Sequence, residues 1–132
     1  MLDLLLFAAK IACPDDSNDD RNFWLGCVGL RKDGAMVFSK NGAVFSTTVE
    51  DYRLLPGSHA EGRVLRKMDW GGVLYVARVT RKDRSLAMAR PCPMCMIKIK
   101  AKGIKKVFYT INQNQFGVYC PSSDKDRIYN VR

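Results

Sequence analysis

Four side chains in this sequence are of types that do chemistry, at spacings that let them act together. His59 is the only histidine among 132 residues, and Glu61 follows it in "GSHAEGRV". Cys92 and Cys95 form a CxxC within "RPCPMCM". Each motif alone has an ordinary explanation. A histidine at a helix start can be a cap or a half-buried polar group, and a CxxC can be a redox pair or half of a structural zinc site. Taken together, two thiolates and one imidazole supply three ligands and leave the fourth tetrahedral position of zinc open for water. One zinc ion held this way lowers the pKa of that water towards neutrality and so supplies hydroxide. Glu61 is too close to His59 in sequence to be an obvious fourth ligand. Beside the metal it can accept the water's proton and later return it.

Two predicted helices must carry these residues. Ser58 and Glu61 match the S-x-x-E capping box, and Ala60, Val64 and Met68 recur at helical spacing, so a helix is predicted from Ser58 to the Gly71-Gly72 pair. A second helix is predicted over "PCPMCMIKIKAKG", with Pro93 near its first position and Gly103 at its end. Both follow loops or strands that end at one edge of a sheet, so their first turns can meet there. Helix N-termini at that edge favour thiolate charge.

The remaining segments supply the sheet. "MLDLLLFAAKIA" reads as an amphipathic first helix that covers a sheet face, followed by a polar loop. Two strands joined at Asp33-Gly34 come next, with Asn41-Gly42 as a further turn or bulge signal. "VLYVARVT" and "IKKVFYTI" are candidates for buried strands. "RKDRS" is a turn between "VLYVARVT" and an extended "LAMAR". Residues 111–132 read as a loop-rich tail with a short last strand near Phe116 to Tyr119. No repeat or linker divides the chain, so residues 1–132 are expected to form one domain. The alternation of helices and strands predicts an α/β domain with helices on both faces of the sheet.

Composition narrows the class. Hydrophobic residues make up 47% of the chain, enough for a globular core. Five cysteines, two of them in a CxxC, argue against a disulfide framework, and Cys13, Cys27 and Cys120 read as buried or incidental thiols. The first helix lacks the basic start and cleavage site of a signal peptide and is too short to span a bilayer, so a cytoplasmic protein with no membrane partner is expected. The net charge is +9, and from Gly62 to Lys106 thirteen Lys and Arg face only Asp69 and Asp83. That excess favours an anionic partner, a nucleotide phosphate or nucleic acid, over a neutral one.

"HAE" and "PCPMC", with 29 residues between Glu61 and Pro91, resemble the zinc-binding signature of the cytidine and deoxycytidylate deaminase superfamily. "IKAKGIKKVFYT" is similar to the helix and strand that follow the second motif in that family. The resemblance implies a three-layer α/β/α domain around a mixed sheet of about five strands. It implies one catalytic Zn²⁺ held by His59, Cys92 and Cys95, with Glu61 as the proton shuttle. It further implies that Asn41 meets the sugar and that the Ala60 backbone amide meets the base. The activity expected is hydrolytic deamination of a cytosine nucleoside or nucleotide to the uracil product with release of ammonia. Two alternatives are a cytosine or adenosine deaminase acting on single-stranded DNA or RNA, and a non-catalytic zinc-stabilised nucleic-acid-binding protein. The family's habit of self-association implies a homo-oligomer.

Overall fold

The computed structural model of the chain describes residues 2–13, 23–40, 64–80 and 82–131. Helix α1 (Leu2–Ala12) buries Leu5, Ala8 and Ala12, at positions i, i+3 and i+7, and leaves Leu6 exposed. That spacing gives one apolar stripe, which is what lets a short helix lie on a sheet. Strands β1 (Phe23–Leu30) and β2 (Met36–Lys40) form the hairpin predicted at Asp33-Gly34. Its turn is held by the Asp33 carboxylate, which accepts the Ala35 N–H at 3.0 Å.

There follow β3 (Val73–Thr80), the two-residue β4 (Leu86–Ala87), helix α2 (Pro93–Ala101), β5 (Lys106–Thr110), β6 (Gln115–Cys120) and β7 (Lys125–Asn130). Among the described residues the strands make one mixed sheet of seven, in the order β2-β1-β3-β5-β6-β7, with β4 paired to β3. Only β3 and β5 run parallel. Parallel neighbours cannot be joined by a tight turn, and α2 belongs to the crossover between them. The sheet thus exceeds the expected five strands. β4 is a short return of the β3 chain (Arg78↔Ala87, Val79↔Leu86), and β7 stands where a loop-rich tail was expected. All six residues of β7 are exposed, so pairing with β6 makes it a strand and no burial pattern announces it.

Alternation along the strands sorts two cores. Val28, Tyr75, Ala77 and Phe108 pack with Leu5 and Ala8 of α1. Cys27, Leu74, Val76, Val107 and Tyr109 pack with Met96 and Ile99 of α2 and with Val64, Leu65 and Met68. The two helices therefore cover opposite faces, as the two-residue period of a strand requires. The α1 approach is close. A Cβ at Gly26 would overlap the Ala8 carbonyl, so this position of β1 admits no side chain.

Val64 and Leu65 are helical, but the regular helix stops there, short of Gly71. Lys67 and Met68 donate their N–H groups three residues back, to Val64 and Leu65, which tightens the last turn. No helix among the described residues is long and apolar enough to cross a membrane.

Candidate metal centre

Helix α2 begins where the sequence places it. Cys92 is its N-cap, with extended backbone (φ −69°, ψ 163°), and Pro93 occupies the first turn, where a missing N–H costs nothing. The Met96 N–H donates to the Cys92 carbonyl at 2.9 Å, the first bond of the helix. The Cys92 thiol does not cap the helix; it is half-buried, and Cys95 is fully buried. The two thiols stand at the N-cap and in the first turn of one helix. No acidic residue occupies that turn. The first turn of a helix is where the helix dipole favours negative charge.

The strap leading into Cys92 is tied to the sheet by one buried polar residue. Thr110, at the end of β5, donates its hydroxyl to the Ala87 carbonyl at 2.7 Å and accepts the Arg78 N–H at 3.1 Å. Its carbonyl accepts the Ala89 N–H at 2.9 Å. β3, β4, β5 and the strap are thereby fixed at the edge of the sheet where α2 starts.

A second tie reaches the motif from the chain's last hairpin. Arg90 donates through Nε and Nη2 to the two carboxylate oxygens of Asp126, at 2.9 and 3.0 Å. Such a two-point pairing fixes orientation as well as distance. Tyr109 donates its hydroxyl to the same carboxylate, and the Arg90 guanidinium lies 5.1 Å from the centre of the Tyr119 ring. The Arg90 bonds hold the Asp126 carboxyl below its ordinary range. Burial, reinforced by the bond to Asp126, pushes the Tyr109 phenol up to about 12. At neutral pH Asp126 is therefore the ionised acceptor and Tyr109 the neutral donor. At the other end of α2, Tyr119 donates to Asp124, which lies 3.5 Å from Lys100 Nζ. The β6–β7 hairpin thus grips the segment at Arg90, ahead of the cysteines, and again at Lys100.

His59, Glu61, Asn41 and Ala60 lie outside the described residues. Among the described residues, no three His, Cys, Asp or Glu side chains gather as a metal site. Cys92 and Cys95 make a pair of donors that suits zinc: two sulfurs on one helical turn, one of them excluded from water, at the positive end of a helix. The five cysteines are thiols, none bridged to another. Sequence reasoning missed Arg90, Tyr109, Thr110 and Asp126. Arg90 adjoins a motif, but its partner is 36 residues away, in a segment without strand periodicity.

The model of one protein family, the cytidine and deoxycytidylate deaminase zinc-binding region, matches residues 3–111. The chain belongs to that family. The matched span includes both motifs and ends before β6, so the hairpin carrying Asp124 and Asp126 lies beyond it. No curated protein and no solved structure matches the chain. Membership makes this a zinc-binding, deaminase-like domain, and the thiol pair on α2 is in keeping with it.

Proposed function

We propose that the protein is a zinc-dependent hydrolytic deaminase of a cytosine nucleoside or nucleotide, with His59, Cys92 and Cys95 holding one zinc ion. The observation that carries this is the parallel arrangement of two helix–strand units. α2 leads into β5, and the helical residues Val64 and Leu65 lead into β3, the parallel neighbour of β5. The lower ends of the two units are joined: Lys102 Nζ donates to the Met68 carbonyl at 3.0 Å, and the Gly71 N–H donates to the Lys102 carbonyl at 3.4 Å. Val64, Leu65, Met96 and Ile99 share one core cluster. That joining of the two units supports the reading in which His59 and Glu61 lie near Cys92.

Zinc, when bound, acidifies a water at the open position. Glu61 would accept one proton of the attacking water and deliver it to N3 of the base, then take the remaining hydroxyl proton and pass it to the amine as that leaves C4. Water and the cytosine base give the uracil base and ammonia. Asn41 and the Ala60 amide orient sugar and base. The β3–β4 turn carries exposed Lys82 and Arg84 at the same edge as Cys92, which favours a phosphate-bearing substrate over a neutral nucleoside. The same charge supports a second reading, a cytosine within a single strand.

The test is ammonia release from cytidine, deoxycytidine, their monophosphates and triphosphates, and a cytosine-containing oligonucleotide. Glu61→Ala should keep zinc and folding and lose about 10²- to 10⁴-fold in rate. An unchanged rate in that variant would exclude the catalytic role of Glu61. Release from none of the substrates would exclude the reading as a whole.

A further inference from the structure

The opposite end of α2 carries a surface that the metal centre does not use. Trp70 stands between the helical residues 64–65 and β3, and it is 67% exposed. An indole that open to water forgoes burial that would stabilise the fold, so its exposure calls for a partner. Nor is it loosely placed. Its ring rests on Gly103, where φ is +64° and where a Cβ would strike the indole, so the seat admits only glycine. The turns on either side are laced together: Gly71 N–H to the Lys102 carbonyl, Lys105 N–H to the Gly72 carbonyl at 2.9 Å, and Lys102 Nζ to the Met68 carbonyl. Trp70 is a preorganised platform.

The platform borders an open groove of about 570 Å³, lined also by Lys100, Ile104, Lys105, Pro121 and Ser122. Lys32 and Lys105 extend their stems over Gly71, next to the ring; a Cβ there would lie 3.7 Å from Lys32 Cδ and 3.9 Å from Lys105 Cε. The Lys32 backbone N–H donates to the Asp69 carboxylate at 3.4 Å, but neither lysine's ammonium group forms an ion pair among the described residues. Lys100 has Asp124 at 3.5 Å, but both groups are well exposed, and such a pair gives way readily to a phosphate. Lysines near a helix C-terminus also complement the helix dipole, which accounts for Lys98 and Lys100 but not for Lys32 or Lys105, which lie outside α2.

We propose that this groove is a second, non-catalytic site that binds single-stranded nucleic acid, with a base stacked on Trp70 and backbone phosphates on Lys32, Lys100 and Lys105. Charge and shape select this occupant. Three cations, at Gly71 and along the groove, suit a chain of phosphates better than one free nucleotide. The groove's lining offers one further polar side chain, Ser122, whose hydroxyl lies 3.4 Å from the Cys120 sulfur, so few groups are placed to read a base edge. Stacking plus charge without edge readout is the sequence-tolerant mode of single-strand binding. Duplex DNA, with its bases stacked internally, cannot offer a face to the indole. The inference holds whichever cytosine substrate the metal centre takes, because none of its residues belongs to that centre.

The experiment is a fluorescence-anisotropy titration of the full chain with a labelled oligothymidylate of about 15 nucleotides, within the span such sites cover. Thymine has no amine to lose, so deamination does not enter. A duplex of the same length and free thymidine monophosphate serve as controls. Trp70→Ala should weaken strand binding about 5- to 150-fold, and Trp70→Phe should weaken it less. Lys105→Glu should lower affinity and reduce the salt slope by about 0.7, the share of one phosphate contact on a single strand. Glu61→Ala should bind as the unmodified protein does. Melting curves check that each variant is folded; should Trp70→Ala fail to fold, Trp70→Phe and Lys105→Glu carry the test. Unchanged affinity in the Trp70 and Lys105 variants, duplex binding as tight as strand binding, or no strand binding at low salt would each overturn the proposal.

Discussion

The two ends of the nine-residue helix α2 have opposite characters. At the N-terminal end the thiols are drawn inward: Cys95 is fully buried, the strap before it is tied down by Thr110, and Arg90 is held at two points by Asp126. At the C-terminal end lysines and an exposed indole face solvent around an open groove. The difference follows from the helix itself. The positive end of its dipole favours negative charge, and its C-terminus presents carbonyls, which favour ammonium groups. One short element thus separates the proposed metal centre from the proposed anion-binding groove. Rigidity is needed where ligand geometry decides affinity, and reach is needed where long side chains gather phosphates.

Substitutions at each end should break this division in graded ways. The largest effect is expected at Cys95. Cys95→Ser removes a buried thiolate from the proposed ligand set, and zinc affinity by chelator competition should fall by more than the roughly 10- to 100-fold that losing an outer-shell partner costs. The same substitution should leave oligothymidylate affinity unchanged.

Asp126→Asn comes next. It takes the charge from the clamp on Arg90, two residues before Cys92. Zinc affinity should fall by about tenfold, and stability by about 1 kcal/mol, because both groups are partly solvated. The pH dependence has a definite sign. The folded Asp126 carboxyl titrates below its unfolded value, so its contribution is present above the ordinary carboxylate pKa and is lost as pH falls through the lower folded value. Between pH 5 and acid, melting temperature should therefore drop less in Asp126→Asn than in the unmodified protein. An equal drop in both would mean that the pair adds nothing.

How much of this contrast the sequence discloses depends on the range of each interaction. The start of α2 is legible because a proline at the first turn and a CxxC are local signals, and its end is legible because Gly103 takes a φ of +64°. The β1–β2 hairpin is legible for the same reason. β7 is not, because an edge strand exposed along its whole length has no alternation to betray it. Hidden for that reason are Asp124 and Asp126, and with them both ties between the last hairpin and α2. Trp70 reads as one more apolar residue near a helix end; only its exposure and its seat on Gly103 set it apart. The proposed ligand His59 and shuttle Glu61 were the plainest signals in the sequence, and they fall outside the described residues.

At the C-terminal end, Gly103→Ala sharpens the comparison. A non-glycine residue at positive φ costs about 1–2 kcal/mol, and the new methyl displaces the Trp70 ring. Melting temperature and oligothymidylate affinity should both fall, while zinc content stays the same. A smaller effect is expected beside the groove, where hydrogen bonds from Ser122 and Ser123 lower the Cys120 thiol to about 7. Its alkylation rate should be half-maximal near that pH. In Ser122→Ala the midpoint should rise towards the ordinary thiol value, and a midpoint that stays put would remove the hydroxyl as the cause.

The most direct measurement is the metal content of protein purified without chelator, for the unmodified chain and for Cys92→Ser and Lys105→Glu side by side. About one zinc per chain is expected in the unmodified protein and in Lys105→Glu, and close to none in Cys92→Ser. Zinc retained in full by Cys92→Ser, or absent from the unmodified chain, would contradict the assignment of the metal centre to the N-terminal end of α2.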